Sequence, residues 1–81
     1  MKLEIRLFAG LRCGNPELHC YGQSECDLDV PEGTTIRELR SILAIDPAIS
    51  LLSMVNNHHE HEEWVLQHND RVGMFPPIGG G

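Results

Sequence analysis

A single helix-start signal sits in a chain otherwise patterned for strands, and this constrains the fold more than any other feature. Thr35-Ile36-Arg37-Glu38 spells a capping box. In it the threonine hydroxyl takes the amide hydrogen of Glu38, and the glutamate reaches back. Ile36, Leu39, Ile42 and Leu43 follow at helical spacing and form one apolar stripe, with Arg37 and Arg40 lying off it. Pro47 is expected to close the helix region, because the residue before a proline avoids the helical well.

Strand patterns flank this helix. Leu3, Ile5 and Leu7 alternate with Lys2, Glu4 and Arg6 up to Phe8, the signature of a half-buried strand. Gly10, Gly14, Asn15 and Pro16 then punctuate a loop. A second alternation places Cys26, Leu28 and Val30 inward, so the two strands are expected to pair antiparallel through a long connection. Beyond the helix, the second half of Leu51–Val55 reads as a third strand, ended by an Asn56-Asn57 turn. Trp64-Val65-Leu66 reads as a brief edge strand or one helical turn. Asn69-Asp70 makes a tight turn in which asparagine accepts the left-handed well. Arg71–Phe75 reads as the last strand.

Strand, strand, helix, strand, short element, strand is an α+β order. It predicts a mixed sheet of four to five strands with one main helix across one face, and its likeness to ubiquitin implies that the first and last strands lie side by side in the middle. This order resembles the β-grasp arrangement of ubiquitin. The expected organisation is a domain over residues 1–75 and a flexible, extended C-terminal tail over 76–81.

Charge and hydropathy narrow the function. Twelve acids against six bases give a formal charge of −6. Such a chain is poorly suited to neutralising phosphates or docking on anionic lipid, so neither nucleic acid nor membrane is expected as a partner. No apolar run approaches the roughly 20 residues of a membrane span. The amino end enters a strand pattern without a signal-peptide core, which predicts a cytoplasmic protein.

Cys13, Cys20 and Cys26 are odd in number and lack the two-residue gap of a zinc or redox motif. Reduced, partly buried thiols are expected, the alternative being a Cys20–Cys26 bridge. Arg12 beside Cys13 could lower that thiol's pKa, although a structural thiol fits better. His58, His59 and His61 lie in a run rich in imidazole and carboxylate, a ligand set for zinc or nickel if the side chains converge. The turn before them points instead to a solvated loop. The expectation is therefore no metal, with a low-affinity site as the alternative.

The last six residues, Pro76-Pro77-Ile78-Gly79-Gly80-Gly81, carry the strongest functional signal. Two prolines remove amide donors and hold an extended geometry, so the segment cannot continue a sheet. Stretched out, the segment reaches about 20 Å. Glycines without Cβ can enter a narrow channel in a partner. The α-carboxylate is ionised at neutral pH and a poor electrophile. Acyl chemistry on it therefore needs activation, most simply as an anhydride with AMP. The sequence has no phosphate-loop motif, so a partner must supply the ATP chemistry. The chain itself is expected to bind no cofactor and to offer no internal nucleophile or acid–base pair.

Leu7-Phe8-Ala9-Gly10-Leu11-Arg12, Pro31-Glu32-Gly33-Thr34-Thr35-Ile36-Arg37-Glu38-Leu39 and Val72-Gly73-Met74-Phe75-Pro76-Pro77-Ile78-Gly79-Gly80-Gly81 resemble the MoaD/ThiS ubiquitin-like sulfur carriers. The tail is most similar to the MoaD branch, the small subunit of molybdopterin synthase. The resemblance implies that a ubiquitin-activating-type enzyme adenylates Gly81 using ATP. A persulfide from a desulfurase then converts the adenylate to a thiocarboxylate. The tail would next enter the large subunit of molybdopterin synthase. Gly80 and Gly81 match the family's terminal pair, and Pro76 and Pro77 its tail base. Gly79 and Ile78 lie between them, and Phe75 with its sheet face would form the docking surface. His68-Asn69-Asp70 replaces the family's Asp-Gly-Asp turn, and the histidine run has no counterpart. Glu63-Trp64 is similar to thiamine-type carriers. The alternatives are thus another sulfur pathway, a ubiquitin-like modifier joined to lysines, or a metal-holding binding module.

Overall fold

A computed structural model describes residues 1–77. The elements run β1 (Lys2–Leu7), β2 (Glu25–Asp29), α1 (Ile36–Ile42), β3 (Leu52–Val55), β4 (His58–Glu60) and β5 (Arg71–Phe75). The strands form one mixed sheet in the order β2-β1-β5-β3-β4. β1 pairs antiparallel with β2 and parallel with β5, so the first and last strands occupy the middle as expected. Parallel neighbours need a long crossover, and everything from β2 to β4 supplies it.

Period-two alternation decides what the sheet buries. Leu3, Ile5 and Leu7 of β1 point to the core with Leu28 of β2, Val72 and Met74 of β5 and Val55 of β3. Ile36, Leu39 and Leu43 meet them from the helix side. Each such aliphatic side chain contributes about 1.5–3 kcal/mol relative to exposure. Cys26 shares this direction but is only half-buried, because β2 is an edge.

The capping box forms as written. Thr35 Oγ1 accepts from the Glu38 amide at 3.2 Å, and the Thr35 amide donates to Glu38 Oε1 at 3.0 Å. The helix, however, stops at Ile42, well before Pro47. Ala44 adopts φ +54°, and the freed carbonyls of Ile42 and Leu43 accept from Asn15 Nδ2 and the Gly14 amide, both at 2.8 Å. A left-handed residue with tertiary donors ends the helix, and the proline has no part in it.

Two further expectations are corrected. The histidine run is not simply a solvated loop. Asn56 and Asn57, at φ +51° and +70°, make a two-residue turn of the kind that matches strand twist. His58, His59 and Glu60 then pair with Val55, Met54 and Ser53 as β4. Trp64-Val65-Leu66 is neither strand nor helical turn. Val65 makes a single bridge to Thr35, while the Trp64 carbonyl accepts from Ile36 and the Leu66 amide donates to Thr34. The segment thus occupies one orphan amide at the start of α1, that of Ile36, and buries Leu66. No helix among the described residues is long and apolar enough to cross a membrane.

Candidate functional site: the open sheet face

The helix covers one face of the sheet and leaves the other open. Alternate residues of β1 and β5 line that open face: Glu4 and Arg6 from the first, Arg71, Gly73 and Phe75 from the second. Met54 joins from β3, and Phe8, just past β1, folds over the end of the row. These residues frame a shallow groove along the two central strands, leading to Phe75 and the prolines.

An aromatic pair closes the groove near the tail. The rings of Phe8 and Phe75 meet edge to face, with centroids 6.4 Å apart and planes at 78°, a favoured arrangement worth about 0.5–1.5 kcal/mol beyond burial. The Phe8 amide donates to the Met74 carbonyl at 3.0 Å, which extends the β1–β5 ladder by one rung. Phe8 nevertheless remains 48% exposed, unusual for so large an apolar ring. Ion pairs flank the groove: Arg71 Nε to Glu4 Oε2 at 3.4 Å, and Arg6 Nε to Glu25 Oε1 at 3.7 Å. All four side chains are exposed, so the pairs set the pattern of charge rather than adding much stability.

A buried carboxylate fixes the approach to β5. Asp70 is 7% exposed and accepts from Asn56 Nδ2 at 2.8 Å and the Gln67 amide at 2.7 Å. Asn56 Oδ1 in turn accepts from the Arg71 amide at 3.0 Å, and the Glu4 amide donates to the Asp70 carbonyl at 2.9 Å. Asn69 at φ +70° makes the turn, as its residue type predicts. This network aligns the β3–β4 turn with the start of β5. It presents no free acid or base.

Of the predicted site residues, Phe75 and Pro76 are half-buried and Pro77 is exposed at the end of the groove. Ile78, Gly79, Gly80 and Gly81 lie outside the described residues. The histidines do not converge. His58 and His59 are consecutive on β4 and face opposite sides, while His61 lies beyond the strand with its Nδ1 accepting from the Glu63 amide at 3.1 Å. Among the described residues no three His, Cys, Asp or Glu side chains stand where they could hold a metal ion. The Arg12 guanidinium donates to the Gly22 carbonyl instead of serving Cys13, whose pKa is raised by burial rather than lowered. Sequence reasoning named Phe75 and its sheet face but not Phe8, Met54 and Gly73. Their common trait is the outward register beside β5, visible only once the strand order is known.

Fold and groove together define a small ubiquitin-like protein with one open sheet face. The ThiS family model matches residues 5–81, and the chain belongs to that family. Its class is therefore that of ThiS/MoaD-type sulfur carriers and related protein modifiers. No curated protein matches the sequence significantly. Solved structures do match. A Pyrococcus furiosus protein provisionally described as molybdopterin converting factor, subunit 1, is 22% identical, with 95% of this chain and 98% of that one covered at a TM-score of 0.74. The small archaeal modifier protein 1 of Haloferax volcanii is 16% identical over 95% of this chain and 98% of that one, with a TM-score of 0.70. A further Haloferax volcanii protein, solved in solution, is 25% identical over 100% of this chain and 87% of that one, with a TM-score of 0.67.

Proposed function

We propose that this protein carries sulfur on Gly81 for molybdopterin synthesis, acting as the small subunit of molybdopterin synthase. A partner of the ubiquitin-activating type joins the glycine carboxylate to AMP and releases pyrophosphate. A persulfide sulfur displaces AMP, and reductive cleavage of the resulting acyl disulfide leaves a thiocarboxylate. The tail then enters the large synthase subunit, which transfers the sulfur to a pterin. The observation that carries this reading is the run Phe75-Pro76-Pro77-Ile78-Gly79-Gly80-Gly81 following a central strand beside an open groove lined by Phe8, Met54 and Phe75 among charged residues. The groove offers a docking surface, and the two prolines cannot continue the sheet ladder of β5.

Mass spectrometry after incubation with the cognate activating enzyme, ATP and a persulfide donor tests the chemistry. One oxygen replaced by sulfur is expected. Unchanged mass with an active donor system overturns the proposal. Addition of the large synthase subunit and precursor pterin should then return the mass to its starting value.

A second reading is favoured by the likeness to small archaeal modifier protein 1. On that reading the adenylate reacts with lysine amines on other proteins, forming an isopeptide bond and releasing AMP. Isopeptide remnants of this tail in cellular proteins, without sulfur loading, would select it.

A further inference from the structure

β2 is an outer strand of the sheet, and its hydrogen-bonding parity shows which of its backbone groups are left over. The Met1 amine donates to the Val30 carbonyl at 2.8 Å and the Val30 amide to the Met1 carbonyl at 2.9 Å. At the other end the Leu7 amide donates to the Ser24 carbonyl at 2.7 Å. In an antiparallel pair, residues that exchange bonds alternate with residues that turn theirs away. Ser24, Cys26, Leu28 and Val30 therefore direct their backbone groups to β1. Glu25, Asp27 and Asp29 turn their amides and carbonyls outward, to the side where no strand lies. Among the described residues only one of these outward groups has a protein partner: the Asp27 carbonyl accepts from His19 Nε2 at 2.9 Å.

The same three residues set the charge of this edge. All are exposed. In the pairing register Asp29 lies opposite Lys2, Asp27 opposite Glu4 and Glu25 opposite Arg6, and directly opposed residues share a face of the sheet. Glu25 has Arg6 at 3.7 Å, and Glu4 has Arg71 at 3.4 Å. Asp27 stands beside a like charge, and among the described residues no cation comes within 4.0 Å of it. Like charges directly opposed are destabilising. The middle of the edge thus carries an uncompensated acid. The three carboxylates repeat about every 7 Å, the spacing of alternate side chains on a neighbouring strand.

We propose that the outer edge of β2 receives an extended segment of a partner protein with lysine or arginine at alternate positions, added to the sheet as a further strand. Its backbone bonds the outward groups of Glu25, Asp27 and Asp29, and its cations lie opposite their carboxylates. Free edges are ordinarily blunted or covered; here the His19 ring sits on the Asp27 carbonyl and swings off to admit the strand. Other occupants fit worse. A second copy of β2 would set carboxylates against carboxylates, and the Pro76-Pro77 segment of this chain lacks the amide donors that a ladder needs. β1 lies between this edge and β5, so binding here does not depend on Gly73 or Phe75.

The probe is a short capped peptide alternating lysine with threonine, titrated into the purified chain and followed by amide-resolved hydrogen exchange. At saturation the amides of Glu25, Asp27 and Asp29 should exchange about 10-fold more slowly, while those of Cys26 and Leu28, already in the ladder, stay unchanged. The same peptide methylated on the backbone nitrogens of its lysines keeps its charge and should bind at least about 10-fold more weakly, because it cannot complete the ladder. Asp27→Lys should lower affinity about 10-fold. His19→Ala should raise it several-fold by freeing the carbonyl. Equal binding of the methylated peptide, binding without the alternating protection, or unaltered affinity in Asp27→Lys would each overturn the proposal. Protection by a glutamate–threonine peptide, or protection that grows with protein concentration in the absence of peptide, would assign the edge to an acidic strand or to a second copy and overturn it equally.

Discussion

The Phe8 ring rests over Gly73, where an added Cβ would come within 3.2 Å of Phe8 Cε2. This contact has no backbone constraint behind it, since Gly73 does not occupy the left-handed region. The glycine serves space: it lets an aromatic ring approach the central strand closely.

Gly73→Ala should therefore separate stability from docking. Alanine reduces the freedom of the unfolded chain by about 0.4–1 kcal/mol, and the exposed ring can move by the small amount required. Thermal unfolding should change little. Affinity for the activating enzyme should fall, and Gly73→Val should lower it further by filling the groove. Calorimetric titration against that enzyme measures both.

Phe8→Ala and Phe75→Ala remove the two halves of the edge-to-face pair. Each should cost about 1 kcal/mol of stability. If the groove is the docking surface, each should also weaken partner binding by about 2 kcal/mol, close to 30-fold. In a double-mutant cycle the two effects should be non-additive, as expected of side chains in contact.

Asp70→Ala should be the most damaging polar substitution. It strands the Gln67 amide and the Asn56 side chain, which both donate to the carboxylate. A loss of about 2–4 kcal/mol is expected in urea unfolding at neutral pH. Thr35→Ala, which removes only a cap, should cost about 1 kcal/mol.

Alkaline pH should reveal the buried thiols. Burial raises Cys13, Cys20 and Cys26 above their ordinary value of 9.0, and nearby Asp27 adds to the effect at Cys26. Arg12 and His19, also on the loop, bind backbone carbonyls of Gly22 and Asp27. A raised pKa means that the folded chain holds these protons more tightly than the unfolded chain does. Their contribution is intact below the unfolded value and is lost as pH rises through the folded values. Urea midpoints of the unaltered chain should fall above about pH 9 more steeply than those of Cys20→Ala.

Local chemistry made several elements legible. The alternation at Leu3, Ile5 and Leu7 marks β1, and Thr35 with Glu38 marks the start of α1. Asn56-Asn57 and Asn69 mark turns because asparagine tolerates positive φ, which all three adopt. Arg71–Phe75 appears with its predicted bounds. The end of α1 and the strand at His58–Glu60 were not legible. Ala44 is a good helix former that turns left-handed only because Gly14 and Asn15 arrive to take the last carbonyls. His58, His59 and Glu60 have little intrinsic preference for a strand, and pairing with β3 imposes it.

By itself the sequence determined the α+β class, the inward residues of the first two strands, the helix start and the unusual tail, because periodicity, capping and turn preferences act over a few neighbouring residues. The order of elements, read with its likeness to ubiquitin, already placed the first and last strands side by side; only the tertiary structure fixed their register, which brings Phe8 to Gly73 and Phe75 and opens the groove. The reason is physical: register is chosen by long-range pairing and by burial of the whole core, and no local pattern carries that information.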